Sequence, residues 1–300
     1  MKKAYLQMHA SIFLWGFTGI LGRLITLNEG LLVWYRMLIT ISLMLLIFGI
    51  GGKLHRIDRK SLMRIAIAGT LIAFHWLFFY GAIKYSNVSV TLSCLASTAL
   101  FTSLGDSIYN RKKNGGFKFN PMELLFAGMA ILGIYLVFAF QANFILGILF
   151  ALIAALLGAS FTLVNKELME QHEAESVCTY ELICGFLVLS LFMPLYNFKF
   201  PAPHYIPASS DLGYLFLLSF FCTVIPFTLS LKSLKVLSAF TANLTLNLEP
   251  VYGILLAFAV FHEQTMLHKG FYYGTGIILG SVFLHAALKL TKKKREVYLD

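Results

Sequence analysis

Long apolar stretches alternate with short polar connectors along the whole chain. Each stretch is close to twenty residues long, which is the length that a helix needs to cross a hydrocarbon core of about 30 Å. Strands of a membrane β-barrel would alternate apolar and polar residues with a period of two, and these stretches do not. The pattern therefore predicts an all-α integral membrane protein with ten transmembrane helices: Ala4–Ile25, Leu31–Ile50, Leu62–Ile83, Val88–Ile108, Met122–Phe140, Phe144–Asn165, Val177–Tyr196, Leu212–Leu231, Ala239–Phe261 and Phe271–Leu290.

The composition agrees with a membrane protein, since 58% of the 300 residues are hydrophobic and 13% are charged. A soluble domain would have to place much of this apolar surface against water, whereas a bilayer solvates it. The four cysteines all lie in apolar stretches and form no C-x-x-C pair, so we expect neither a disulfide framework nor a metal site. The sequence also contains no Walker A, G-x-S-x-G or H-E-x-x-H motif. We therefore expect no cofactor, no catalysis and no ATP-driven step.

The distribution of basic residues predicts the orientation in the membrane. With the N-terminus inside, 19 of the 24 lysines and arginines fall in segments on the inner side and 4 fall in outer connectors. Because basic residues favour the cytoplasmic side, both termini are predicted to be cytoplasmic, in a multi-pass protein of the cell (inner) membrane. This asymmetry explains the net charge of +10 without a nucleic-acid partner. The run Lys292–Arg295 is expected to lie near anionic lipid headgroups.

Weak internal similarity divides the chain into two halves. Because each half has an odd number of helices, the second half is inverted in the membrane relative to the first. Inverted repeats are common in secondary transporters, which bind their substrate near the midplane between the repeats. We therefore predict two inverted five-helix repeats, 1–141 and 142–300. Three matches occur in the same order in both halves, and the difference in residue number between the halves grows because of loop insertions. They are Gly16-Phe17-Thr18 with Gly158-Ala159-Ser160 (difference 142), Tyr35-Arg36 with Tyr180-Glu181 (145) and Lys84 with Lys235 (151).

Ionisable residues inside the spans are candidates for function, because a charge at membrane depth is unfavourable unless it has a partner. Arg36 lies about five residues into the second span. Two interpretations stay open: the side chain reaches toward the headgroups, or its planar fork binds a carboxylate, a phosphate or an acidic side chain. Glu181 occupies the matching position in the second repeat. An ion pair between Arg36 and Glu181 that acts as a gate is a hypothesis.

Glu249 lies deeper in its span, one residue before Pro250. Proline has no N–H and leaves the carbonyl of Leu246 unpaired, so we expect a kinked helix that offers polar backbone to a cavity. The carboxyl suits either proton coupling, because burial disfavours its charged form, or a structural hydrogen bond to a neighbouring helix. Asn243 and Asn247 form a polar stripe on another side of the same helix, which is typical of a helix surrounded by protein.

His75 interrupts the third span at the position that Pro226 occupies in the eighth. Interruptions at matching positions of two repeats indicate the central site, although a single histidine in a helix is often only hydrogen-bonded. Trp76 and Tyr80 are an aromatic pair beside His75, and we expect them to form part of a pocket wall. Further aromatic candidates for this wall are Trp15, Trp34 and Tyr35.

Several motifs resemble those of one family of membrane proteins. The stretch Asn243–Gly253, followed by Phe261-His262-Glu263, is similar to a ninth-helix pattern in which Glu-Pro precedes a small and aromatic helix and a closing Glu. Arg36 and the connector Ala82–Ser86 also resemble this family, the EamA branch of the drug/metabolite transporter superfamily. The first repeat departs from the pattern, with Ala99 in place of Pro and Lys112 in place of the closing Glu. We therefore expect the fourth helix to bend less readily.

The resemblance implies a secondary transporter that moves a small metabolite, most often by exporting amino acids or related compounds. Transport would use a proton gradient or the solute's own gradient, and the cavity would be lined by the first to fourth and sixth to ninth helices. The alternative is an integral-membrane enzyme acting on a lipid-linked or amphipathic substrate, which would need an acidic or histidine cluster at a water interface. Expected partners are the substrate and membrane lipid, and a homodimer is left open. The acidic residues of the one such cluster, which we expect to be a solvated loop, are Glu167, Glu170, Glu173 and Glu175.

Overall fold

The computed structural model describes residues 2–102, 104–105, 121–140, 142–237, 245–246 and 248–297. This part of the chain contains ten helical regions and no strand, which confirms the all-α prediction. Their bounds are α1 (Lys2–Trp15 and Thr18–Leu24), α2 (Glu29–Gly49), α3 (Arg59–Tyr85), α4 (Val88–Thr102), α5 (Pro121–Phe140), α6 (Ile145–Leu168), α7 (Ala174–Lys199), α8 (Ser209–Leu234), α9 (Leu248–Phe261) and α10 (Lys269–Val297).

Five of these helices, α2, α3, α6, α7 and α8, are long and apolar enough to cross a membrane by themselves. Within the described residues, α4 and α9 are shorter apolar helices, and the predicted fourth and ninth spans both extend into residues that are not described. The observed helices extend a few residues beyond the predicted spans into the polar connectors. For α3 the N-terminal cap explains this, because Asp58 accepts hydrogen bonds from the backbone N–H groups of Lys60 and Ser61 and so starts the helix before its apolar part.

Helix α1 is interrupted at Gly16 and Phe17, where the sequence predicts one continuous span. Gly16 lies against α9 so closely that a Cβ atom on it would be 3.0 Å from the Cβ atom of Tyr252. The absence of a side chain at this position therefore lets the two helices from different halves approach each other.

Helix α4 is interrupted although it contains no proline, and the expectation that Ala99 makes it bend less readily stays a prediction. The helix is interrupted by a turn at Ala96 and Ser97. The Ser97 hydroxyl donates to the carbonyl of Cys94 at 2.7 Å, and the Thr98 hydroxyl donates to that of Leu95 at 2.7 Å. Hydroxyls that compete for backbone carbonyls bend helices in the same way that a missing N–H does.

Helix α8 contains a π-helical turn, Phe220–Val224, directly before Pro226. Proline offers no N–H to the carbonyl four residues earlier, and a π turn is one way in which a helix accommodates this loss. The Thr223 hydroxyl donates to the carbonyl of Leu218 at 2.8 Å and stabilises the widened turn. The interruption that the sequence predicts at Pro226 is therefore present as a bulge.

Helices of the first half pack against helices of the second half. The contact of α3 with α6 is equivalent to that of α8 with α1, because equivalent helices of the two repeats differ by five in number. Equivalent helices also pack against each other, in the pairs α2–α7, α4–α9 and α5–α10. This is the pattern expected of two inverted repeats.

Helix α7 crosses α3 at Gly69 and Gly185. A Cβ atom on Gly69 would collide with the carbonyl oxygen of Glu181, and one on Gly185 would collide with the carbonyl oxygen of Gly69. The close crossing packs α7 tightly against α3.

Candidate functional site

A cavity of about 160 Å³ lies between the two halves. Within the described residues, its walls come from α1, α2, α3, α4, α6, α8 and α9, together with Leu246 just before α9. The prediction that the seventh helix would line it is wrong, because none of the lining residues belongs to α7. The lining is mainly aromatic and aliphatic with a few polar groups, which is the usual composition of a small-molecule site.

Arg36 is the cation of this cavity. Its side chain is 2% exposed, so it does not reach toward the headgroups. Its Nε and Nη2 atoms donate to the Thr223 hydroxyl at 3.1 and 2.9 Å, and Nη1 donates to the Tyr80 hydroxyl at 2.7 Å. The guanidinium lies 3.7 Å from the ring centre of Trp76. These contacts use three of the five N–H groups of the fork, and Arg36 lines the cavity, so the others can bind an anionic group there.

Local structure in α8 positions the partner of Arg36. The π turn rotates Thr223 toward α2, and Ser219 on the same helix donates to the backbone carbonyl of Arg36 at 3.2 Å. Sequence reasoning missed Thr223. The available signal was its position three residues before Pro226, within the turn that proline disrupts.

The predicted ion pair between Arg36 and Glu181 is not formed. The hydroxyls of Tyr80 and Thr223 and the ring of Trp76 surround Arg36 instead. Glu181 is fully buried and does not line the cavity. It faces the side chain of Asn165 on α6, without a hydrogen bond of normal geometry between them.

Glu249 and Pro250 both line the cavity. The Glu249 carboxyl is close enough to Arg36 for the two groups to interact electrostatically, but among the described residues they form no ion pair within 4 Å. Pro250 lies in the first turn of α9, and because residue 247 is not described, the predicted kink stays a prediction. Asn243 and Asn247 lie outside the described residues.

The aromatic candidates divide between the cavity and its surroundings. His75 and Trp76 line it, and the His75 Nδ1 atom lies 2.7 Å from the carbonyl oxygen of Ala154. Tyr80 is fully buried behind the cavity wall, where it bonds to Arg36. Pro226 is buried beside Phe227, which lines the cavity.

Of the three further aromatic candidates, Trp15 lines the cavity. Trp34 instead donates to the Ser190 hydroxyl on α7, and Tyr35 donates to the backbone of Tyr205 in the connector before α8. Both are turned away from the cavity, so their expected place in its wall is wrong.

Several hydroxyl and amide side chains that the sequence analysis did not select also line the cavity. Serine and threonine occur throughout the spans and bond to the preceding helical turn, as Thr162 does to the carbonyl of Gly158 at 2.9 Å. Their type and spacing alone do not distinguish the ones that face a cavity. They are Thr18, Thr98, Thr162, Asn165, Thr223 and Ser230.

The cavity extends toward the ends of the helices that lie on the same side as the N-terminus, which we call the terminal face. Met8 near the start of α1, Leu234 at the end of α8 and Asn165 near the end of α6 all line it. The Ser233 hydroxyl donates to the carbonyl of Ala4 at 3.0 Å, so these ends meet on one side of the molecule.

Polar contacts between the halves close the opposite side, which we call the far face. Glu263 is fully buried, pairs with Arg23, and accepts hydrogen bonds from the backbone N–H groups of Val88 and Ser89 at 3.1 and 2.8 Å. These contacts join α1 and α4 of the first half to the α9–α10 connector of the second. Two further pairs across the halves are Thr26 with Asp211, at 2.9 and 2.7 Å, and Tyr196 with Glu29, at 2.5 Å.

Glu170 and Glu173 of the acidic cluster lie exposed in the connector between α6 and α7, as expected of a solvated loop, whereas Glu167 and Glu175 lie within the two flanking helices. Glu167 pairs with Arg64 at 3.0 Å. Glu175 pairs with Lys232 at 2.5 Å, and Glu173 with Lys235 at 2.8 Å. Among the described residues, no group of three or more His, Cys, Asp or Glu side chains is arranged to hold a metal ion.

Two inverted helical repeats with a cavity between them, closed at one end and lined by a buried charge, have the architecture of a secondary transporter. The profile of the EamA-like transporter family matches residues 2–139 and again residues 145–287, and the chain belongs to this family. It is therefore a membrane transporter of the drug/metabolite superfamily.

Comparison with solved structures agrees on the fold. One structure, whose title reads "Crystal structure of protein", superimposes with a TM-score of 0.64 over 98% of this chain and 99% of that chain, at 15% sequence identity. Among curated proteins, none matches the chain.

Proposed function

We propose that the protein exports an amino acid or a related compound across the cell (inner) membrane by alternating access, in exchange for protons. The observation that carries the proposal is Arg36, a buried cation that lines the cavity and has no carboxylate among its hydrogen-bond partners. Two hydroxyls and an aromatic ring stabilise it only in part, because burying a charge without a counter-ion is unfavourable. A carboxylate on the substrate supplies that counter-ion and fits the planar fork.

Glu249 provides the opposite charge for the other end of the substrate. It lines the same cavity as Arg36 and is too far from it for an ion pair, so a molecule with a carboxylate and an ammonium group can bind between them. The rings of Trp76, Phe79 and Phe227 surround this space and favour an apolar side chain on the substrate. The site thus suits a zwitterionic amino acid with an aliphatic or aromatic side chain.

The same carboxyl couples transport to protons. Ionised Glu249 attracts the ammonium group, and protonated Glu249 does not, so that substrate and proton compete for one group. Competition for a single site between two ligands is the condition for exchange: the carrier moves the substrate in one direction and the proton in the other. With the terminal face in the cytoplasm, the inward proton gradient would drive substrate outward.

The conformation fits one half of such a cycle. The cavity extends toward the terminal face and the far face is closed, so substrate enters from the cytoplasm if the termini are there. Impermeant labelling of single cysteines placed at Lys60 and at Pro203 tests this orientation. Cytoplasmic labelling at Lys60 and external labelling at Pro203 are expected, and the reverse pattern would overturn it.

A thermal-shift experiment tests the substrate class, since a ligand that binds the folded state raises the unfolding temperature by mass action. L-leucine and L-phenylalanine should stabilise the purified protein, whereas isoamylamine and phenethylamine, which lack the carboxylate, should not. Equal stabilisation by the amines would show that Arg36 does not bind a carboxylate and would reject the proposed substrate class.

A further inference from the structure

A second acidic group lies close to the cavity but outside it. Glu181 on α7 is fully buried, and neither of its carboxyl oxygens has a hydrogen-bond partner among the described residues. Asn165 on α6 faces it, is also fully buried, and has neither its amide nitrogen nor its oxygen paired. Asn165 lines the cavity, so this unpaired amide lies between Glu181 and the space that water and substrate enter.

The repeat explains why Glu181 has no partner. It occupies the position in the second half that Arg36 occupies in the first, where the Tyr80 and Thr223 hydroxyls surround the guanidinium. The offset of 151 that aligns Lys84 with Lys235 places Leu231 opposite Tyr80, and Ile72 opposite Thr223. Both equivalent residues are apolar. The second half therefore lacks the two hydroxyls that would form hydrogen bonds with a charged group, and the carboxyl of Glu181 stays unpaired.

The charges around Glu181 do not compensate an ionised carboxylate. The titratable groups that interact with it are the thiols of Cys178 and Cys184 on its own helix, which are neutral in an apolar setting. Helices α2, α3 and α8 pack against α7, and among the described residues of other helices the group that interacts with Glu181 is the neutral amide of Asn165 on α6. A buried carboxylate without a counter-ion is strongly disfavoured, so Glu181 holds a proton in this conformation.

We propose that Glu181 and Asn165 form a second proton-binding site, separate from the substrate cavity. This inference rests on the proposed transport function. Glu181 takes up its proton while the far face is open and still holds it in the conformation described here. It releases the proton toward the terminal face when water in the cavity reaches the side chain of Asn165, because the amide can then turn and donate to the carboxylate. An amide suits this role because it can accept from the protonated acid and donate to the ionised one.

The first test is the pH dependence of stability, which requires no substrate. A carboxyl that is protonated in the folded state and ionised in the unfolded state loses its stabilising effect as the pH rises. The unfolding temperature of the wild type should therefore fall between about pH 5 and 8 more steeply than that of Glu181→Gln. Glu170→Gln removes an exposed acid near the end of α6 and should behave as the wild type does. Identical slopes in the wild type and Glu181→Gln would overturn the proposal.

The second test separates a proton carrier from a static buried acid. In proteoliposomes exchanging L-phenylalanine, the number of protons moved per substrate should fall by about half in Glu181→Gln, because one of two carboxyls no longer titrates. Exchange at equal pH should persist, since Glu181 does not touch the substrate. An unchanged proton-to-substrate ratio would overturn the proposal even if the stability test succeeds. If the wild type moves no amino acid at all, the proposed function fails, while the stability test still reports on the proton of Glu181.

Discussion

At the scale of single residues, Arg36 shows how a charge is kept in the middle of a membrane protein. The chain supplies two hydroxyls and the face of an indole ring, and no carboxylate within hydrogen-bonding distance. Such an environment holds the guanidinium in one orientation without neutralising it. The remaining charge makes the residue a binding group, because a charge already neutralised by an acidic side chain would have little to offer a ligand.

Replacement of Arg36 by lysine should therefore impair binding much more than insertion into the membrane. Lysine keeps the charge but loses the planar fork that bonds to Tyr80, Thr223 and a carboxylate together. Loss of such charge-assisted hydrogen bonds corresponds to about 1.5–3 kcal/mol, or a roughly ten- to hundredfold weaker binding constant. Thermal-shift titration with L-leucine measures it, and Arg59→Lys, an exposed arginine at the start of α3, is the matched control. Normal affinity in Arg36→Lys would show that Arg36 acts only as a point charge and would contradict the role of its planar fork.

The sequence identified Arg36, His75, Trp76 and Glu249 as candidates, because polar or bulky groups are conspicuous within apolar spans, and the structure places all four around one cavity. It did not predict their partners. The expected pair with Glu181 followed from repeat symmetry, which relates positions but not the environments that differ between the halves. Hydroxyl partners such as Thr223 are too common in membrane helices to be selected from sequence.

At the scale of helices, the interruptions position the side chains of the site, and the regular parts cross the membrane. The π turn of α8 brings Thr223 to Arg36, and the turn of α4 at Ala96 and Ser97 exposes cavity-lining residues. Length and hydropathy predicted the helices because the bilayer imposes both. The breaks in α1 and α4 depend on close packing at Gly16 and on hydroxyl–carbonyl bonds. Neither produces a change in hydropathy, so the spans appear continuous in the sequence.

Thr223→Val should disturb the site while leaving α8 in place. Valine has the shape of threonine but cannot accept from Nε and Nη2 of Arg36, and leaving buried donors unpaired corresponds to about 1–3 kcal/mol. We expect a lower unfolding temperature and weaker L-leucine binding. Thr228→Val is the control, since Thr228 lies on the same helix, bonds to the carbonyl of Val224 and is not among the hydrogen-bond partners of Arg36. Equal effects of the two substitutions would mean that Thr223 supports the helix and not Arg36.

At the scale of the whole molecule, the halves are similar in fold and different in conformation. Polar contacts between the halves close the far face, while the cavity extends toward the terminal face. In an inverted repeat, exchanging the two conformations produces the opposite opening. The contacts of Glu263, Asp211 and Glu29 at the far face would then separate, and the terminal face would close through different contacts, since Lys112 occupies the position equivalent to Glu263.

The measurement that tests this account most directly is the accumulation of labelled L-leucine by proteoliposomes with an acidic lumen. The wild type should concentrate L-leucine inside as protons leave, and should only equilibrate it when the pH is equal on both sides. Glu249→Gln keeps the shape of the side chain but fixes the neutral state, so it should bind L-leucine more weakly, still exchange it, and accumulate it much less than the wild type, because only Glu181 then carries a proton. Accumulation by Glu249→Gln with the pH dependence of the wild type would contradict the coupling role of Glu249, and the absence of any exchange by the wild type would contradict the transport of amino acids itself.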